Sequence, residues 1–252
     1  MSSIIDAHAH CGVIDRSMSQ SFEAYARQLA ETDIHGAALF SPVLEIYDRN
    51  DFHFIDTPSW QVRRQKSNAY LLSLNPDELT VFPYLFIWND FAVEQLTRAH
   101  CGIKWHRHMG EPVYQYDDHR CRAAVDEIRR RNLPVVLEEE FDNTLCFVRE
   151  LAKGVRVIIP HLGLLNGGFG SIADSGLWEQ ENVWADTALA FEQDIQEYIQ
   201  RYGHSRLLFG SDFPFGAPSA ELQKVRCLGL DPDVEAAVLG GNFLRLQAGV
   251  IP

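Results

Sequence analysis

The chain has 252 residues, 46% of them hydrophobic, which fits one domain over 1–252 with a large apolar core and excludes a disordered chain. Its net charge of −13 excludes nucleic acid and an anionic membrane as partners, since both need a basic surface, but leaves an anionic small molecule open because a bound cation reverses the local field. Five scattered cysteines (Cys11, Cys101, Cys121, Cys146, Cys227) without a CxxC pair, no apolar run of membrane length and no basic leader point to a reduced, cytoplasmic protein.

Along the chain, short β-rich runs alternate with longer amphipathic stretches. The runs are 4–10, 36–42, 81–88, 102–106, 134–138, 156–161, 183–187 and 207–212. Helical patterns lie between them, among others at 21–32, 60–74, 117–132, 144–153, 191–202 and 220–228. The 117–132 stretch starts on acids and ends on three arginines, as the helix dipole favours. Strands that are nearly all apolar and alternate with helices predict a parallel sheet covered by helices. Eight repeats favour closure into an α/β (β/α)₈ TIM barrel over an open doubly wound sheet. The open sheet would also place G-x-G-x-x-G after its first strand, and none is there.

Ionisable residues gather at the carboxyl ends of these runs, the face where barrels carry chemistry. His8 and His10 are two apart on one strand and share a face, with Ala7 and Ala9 on the other. Alone, such a pair reads as satisfied or exposed histidines. With Asp212 at the end of the eighth run, beside the first once the barrel closes, it reads as a metal site. His161 leaves the sixth run for the mouth as a metal ligand, a general acid/base and electrophile, or a core histidine.

Lys104 and His106 share a face. Lys104 could meet a substrate carboxylate or, carboxylated, bridge two metals, and His106 could be a ligand or a substrate contact. The alternative is a buried ion pair with Glu138 or Glu140. These two acids share a face and Glu139 opposes them, so Glu138 is a candidate ligand or base. Asp186 is expected at the rim, and residues 167–170 form a lid or a plain turn. Cys11, Trp88, Trp105 and Trp178 are expected to pack, and His35, His53, His100, His108, His119 and His204 to lie on the surface.

The segments Asp6-Ala-His-Ala-His10, Gly102-Ile-Lys-Trp-His106, Pro160-His-Leu-Gly163, Leu208-Phe-Gly-Ser-Asp-Phe-Pro214 and Gly241-Asn-Phe-Leu-Arg-Leu246 resemble the amidohydrolase superfamily. More narrowly they resemble its amidohydrolase 2 branch of aminocarboxymuconate-semialdehyde decarboxylase-like metal-dependent hydrolases. The resemblance spans residues 4–246 and implies a (β/α)₈ barrel with one or two divalent metal ions, zinc foremost. By position, His8, His10 and Asp212 match ligands. His161 matches a histidine that is catalytic in mononuclear members and a ligand in binuclear ones, and Lys104 and His106 match a G-x-K-x-H element. Glu138 stands where the family usually has a metal-binding histidine, and its added negative charge makes the ion a weaker Lewis acid.

The expected function is hydrolysis of a small carboxylated amide, ester or lactone by a metal-activated water. Asp212 would move the proton, His161 would stabilise the oxyanion, and Lys104 or His106 would orient the substrate acid. The rivals are non-oxidative decarboxylation of an aromatic or enoic acid, and a barrel that binds metal or ligand without catalysis. A homodimer is the default assembly.

Overall fold

A computed structural model describes residues 3–13 and 20–251. Eight strands, β1 (Ile4–His10), β2 (Ile34–Phe40), β3 (Thr80–Phe86), β4 (Gly102–His106), β5 (Val135–Glu138), β6 (Val157–Ile159), β7 (Val183–Asp186) and β8 (Leu207–Leu208), pair in parallel in sequence order. The result is a single α/β barrel, nearly closed. Beyond β8 the chain keeps running beside β1: Ala7 N donates to Phe209 O at 2.8 Å, Asp212 N to His8 O at 2.7 Å and His10 N to Phe213 O at 2.8 Å. An isolated parallel bridge joins Ala9 to Phe213.

Around the strands lie α1 (Phe22–Leu29), α2 (Val43–Ile46), α3 (Pro58–Ser73), α4 (His119–Arg130), α5 (Phe141–Cys146), α6 (Phe169–Asp174), α7 (Glu192–Tyr202), α8 (Pro218–Arg226), α9 (Pro232–Ala236) and α10 (Asn242–Gln247). Their starts follow local chemistry. Ser21 Oγ accepts from Ala24 N to cap α1, and Asp118 caps α4 through Arg120 N at 2.8 Å. Proline opens α3 and α8, where its missing N–H costs nothing. Among the described residues no helix is long and apolar enough to cross a membrane.

The core has two layers. Ile5, Ala7, Phe40, Val136, Ile158 and Leu208 fill the barrel, while Leu39, Ile103, Trp105, Leu137 and Val157 pack outward against the helices. Trp88, Trp105 and Trp178 are core residues, and Cys11 is fully buried, as their sequence context suggested.

Two local expectations are corrected and one open alternative is decided. Strict alternation in β1 fails because its register against β2 shifts between Asp6 and Ala9. That bulge lets Ala7 join Ile5 in the barrel interior while Ala9 packs in the outer layer, so the two alanines do not share a face. β8 holds two ladder residues rather than six, because residues 209–213 bond to β1 in an irregular path. Gly167 and Gly168 have positive φ and form a turn, and Gly170 already lies in α6.

Candidate metal centre

The β1 bulge sets His8 directly above the apolar filling, with His10 beyond it at the mouth. Behind β1, Asp6 accepts from Ser211 N at 2.8 Å, Ser211 Oγ at 2.6 Å and Tyr25 OH at 2.8 Å, which ties the segment leading to Asp212 against the first strand. Gly210 makes that approach feasible, since a Cβ there would fall 2.9 Å from His8 Cβ. Asp212 and His161 both sit at left-handed φ (53° and 56°), backbone that a non-glycine residue adopts only when its surroundings enforce it. For His161 the enforcement includes Asp186 Oδ1, which accepts from its backbone N–H at 2.9 Å.

Each imidazole is held from behind. His8 Nδ1 donates to Asp186 Oδ2 at 2.8 Å, His161 Nδ1 to Ala188 O at 2.9 Å and His10 Nδ1 to Ser41 O at 3.3 Å. Those oxygens only accept, so Nδ1 carries the proton and Nε2 turns a lone pair inward when the ring is neutral. Asp212 lies among these atoms. Its Oδ1 is 3.3 Å from His8 Nε2 and 3.4 Å from His10 Nε2, and its Oδ2 is 4.0 Å from His161 Nε2. Two ligands bound tetrahedrally at about 2.1 Å from one zinc ion stand roughly 3.4 Å apart. Lone pairs facing a carboxylate repel unless a cation or a proton lies between them. Spacing and donor chemistry therefore fit a divalent ion at Asp212, with His8 and His161 bringing ligand atoms within 4.8 Å of it and of each other and His10 Nε2 standing 3.4 Å from its Oδ1.

A second group adjoins the first. His106, His108 and Glu138 bring ligand atoms within 4.8 Å of one another, as do His8, His161 and Asp212. The register pairs His106 with Glu138 across β4 and β5, and both turn inward. Glu138 Oε2 is 3.2 Å from His106 Nε2 and 2.9 Å from His108 Nε2, while Oε1 is 3.7 Å from both His8 Nε2 and His161 Nε2. Lys104 is fully buried and pairs with Glu138 Oε1, which is the ion pair the sequence left as an alternative. Its Nζ also lies 3.1 Å from His8 Nε2 and 4.9 Å from the centre of the Phe40 ring.

Burial, the largest influence on His161, lowers its pKa, but Glu138, Asp212 and Asp186 outweigh that and raise it to about 9. Burial likewise pushes Asp212 up, yet His10, His8 and His161 hold it at about 2. Burial dominates at His106 and takes it down to about 4 in spite of Glu138.

All seven residues singled out from the sequence (His8, His10, Lys104, His106, Glu138, His161 and Asp212) meet in this one place. Four expectations change. Asp186 is fully buried beneath His8 rather than at the rim. Glu140 lies past the end of β5, where it pairs with Arg107 at 2.9 Å instead of sharing the face of Glu138. His108 belongs to the centre and not to the outer surface: the H-x-H spacing 106–108 was the available signal, but it runs off the strand. His100 is also buried, beside the loop after β3.

Tyr47, Arg49 and Glu111 carry no signal in the amino-acid pattern. Tyr47 stacks on Trp88 with ring centroids 4.0 Å apart and donates to Glu111 Oε2 at 2.6 Å. Arg49 Nε donates to Glu111 Oε1 at 2.7 Å. Buried Arg64 fixes this loop by donating to Ile46 O at 2.8 Å and to Asp90 at 2.6 Å. A cavity of about 210 Å³ opens at the mouth, lined by His10, Gln20, Val43, Leu44, Arg49 and Phe215.

A family model described as amidohydrolase matches residues 87–246, which takes in every strand end of the centre except β1. No curated protein matches the chain. Among solved structures, a protein assigned as a 2-pyrone-4,6-dicarboxylic acid hydrolase from Pseudomonas putida is 18% identical, with a TM-score of 0.68 and 100% of each chain covered. A 2,6-dihydroxybenzoate decarboxylase from Rhizobium is 14% identical, with a TM-score of 0.70 over 98% of this chain and 99% of that one. A dihydroxybenzoic acid decarboxylase from Polaromonas, holding manganese and 2-nitroresorcinol, is 12% identical, with a TM-score of 0.66 over 98% and 97%. At these identities the likeness establishes the shared barrel.

Proposed function

This chain belongs to the amidohydrolase family, and on that footing we propose that it is a metal-dependent hydrolase of a small, carboxylated amide, ester or lactone. The observation that carries the reading is the position of Asp212. One of its oxygens sits within 3.4 Å of both β1 imidazoles, so the carboxylate would join them in holding an ion and would be in reach of the attacking water. A divalent ion there would supply acidity to a bound water and polarise a substrate carbonyl.

The residues then divide the work. His8 and His10 would hold the ion with Asp212, and zinc suits two imidazoles and a carboxylate, with manganese the alternative that the Polaromonas relative suggests. Asp212, ionised throughout the neutral range, takes the proton of the attacking water and passes it to the leaving group. His161, whose Nδ1–H is committed to Ala188 O, offers Nε2–H to the developing oxyanion when protonated. Arg49 is the cation that lines the mouth cavity and takes the substrate's acid group, a part that buried Lys104 is too enclosed to play.

A second reading has one observation in its favour. His161, with Nδ1 committed to Ala188 O and Nε2 turned toward Asp212, is also placed to protonate carbon, as decarboxylation of an aromatic acid requires. Incubating metal-loaded protein in H₂¹⁸O with 2-pyrone-4,6-dicarboxylate and with dihydroxybenzoates separates the two. Ring opening with ¹⁸O in the product and no carbon dioxide supports hydrolysis. Carbon dioxide release without ring opening overturns it in favour of the lyase.

A further inference from the structure

We infer that Glu111 is the positioning residue that holds Arg49 ready for the acid group of the substrate. The inference rests on the part proposed above for Arg49 and adds the group that fixes it in place.

Arg49 stands on the loop after β2, where no strand directs its side chain. The backbone of that loop is anchored: Arg64 Nη1 donates to Ile46 O at 2.8 Å and Arg63 Nη2 to Leu44 O at 2.6 Å. Tyr47 adds its stack on Trp88. None of these contacts touches the guanidinium, which sits on a long stem and keeps its rotamer freedom unless a partner removes it.

Glu111 is that partner. It lies on the loop after β4 and is buried. Its Oε1 accepts from Arg49 Nε at 2.7 Å and also meets Arg49 Nη2. Its Oε2 accepts from Tyr47 OH at 2.6 Å and from His108 N at 3.1 Å. Both oxygens are claimed by groups of the two loops, so neither the carboxylate nor the guanidinium turns without leaving a buried polar atom unpaired. Arg49 Nη2 also lies 3.0 Å from His108 Nδ1. That leaves Nη1 without a partner among the described residues, on a side chain that lines the mouth cavity with His10. A guanidinium already fixed loses less freedom when a carboxylate binds, and more of the contact then appears as affinity.

Charge and position predict opposite signs here. The negative charge of Glu111 repels an anionic ligand, so if charge alone mattered its removal would tighten binding. If Glu111 places Arg49, its removal weakens binding.

The test titrates manganese-loaded protein with isophthalate, a carboxylated ring with no bond to hydrolyse, and measures manganese affinity on the same preparations, both by calorimetry. Arg49→Met and Glu111→Ala are each expected to weaken isophthalate by about 10-fold and to leave manganese affinity unchanged. If Glu111→Ala binds isophthalate as tightly as the unaltered chain, or more tightly, while Arg49→Met binds it weakly, the inference is overturned and the part of Arg49 stands. A parallel loss of isophthalate and manganese in Glu111→Ala overturns it too, since that marks a general structural role. Isophthalate that does not bind the unaltered chain, or that binds Arg49→Met equally well, overturns both. Should Glu111→Ala not fold, Glu111→Gln decides. Its one oxygen cannot serve Arg49 and Tyr47 together, so a smaller loss confined to isophthalate is expected, and an unchanged affinity would overturn the inference.

Discussion

His8 carries two demands on one ring. Its Nδ1 is held by Asp186 at 2.8 Å, which orients Nε2 toward Asp212 and raises its strength as a ligand. Outer partners of this kind are worth about 10–100-fold in metal affinity. Asp186→Asn is therefore expected to weaken zinc or manganese binding by about that factor in isothermal titration, and an unchanged affinity would remove Asp186 from the centre. Asp212→Asn keeps a ligating oxygen but no base, so turnover should fall by roughly 100-fold or more while the ion is still bound. Metal content and kcat measured on one preparation check this. These residues were legible in the sequence because an apolar strand that ends in His, Glu or Asp has a buried polar group to account for. Arg49, Tyr47 and Glu111 were not, because they sit on loops whose direction depends on tertiary contacts such as Arg64 with Asp90.

Among the elements, β1 and β4 carry the bounds that the pattern predicted, 4–10 and 102–106. The β1 bulge was illegible: Asp-Ala-His-Ala-His reads the same in a regular strand, and only the pairing with β2 creates the shift. The same holds for residues 144–153, where α5 starts earlier, at Phe141, and passes into a π turn, Phe147–Leu151. The loop after β3 makes a prediction of its own. Burial, helped by Arg131, lowers the pKa of His100 to about 4, and its Nδ1 accepts from Thr97 N at 3.0 Å. The unfolded chain, with an ordinary histidine pKa of about 6.5, binds the proton first. Stability from this group is thus complete above pH 6.5 and is lost as pH falls toward 4, by at most about 1.4 kcal/mol per pH unit. His100→Asn, which keeps an acceptor for Thr97, should flatten the acid limb of a denaturation series over that window. An unchanged slope would show that His100 is not the group responsible.

At the scale of the whole molecule, the centre depends on residues as far apart as Asp6 and Ser211, 205 positions along the chain, so ion binding and folding are linked. An ion that binds only the folded chain, at a free concentration 100 times its Kd, adds about 2.7 kcal/mol. Chelator-treated protein should unfold at a correspondingly lower denaturant midpoint than ion-saturated protein, with the midpoint restored on adding the ion back. Equal midpoints would break the linkage. The most direct test of the convergence of β1 with the segment after β8 is anomalous diffraction at the absorption edge of the loaded metal. The account predicts a peak within bonding distance of His8 Nε2, His10 Nε2 and an Asp212 carboxylate oxygen. A density-free centre in crystals grown with excess ion, or a peak elsewhere in the barrel, would contradict it.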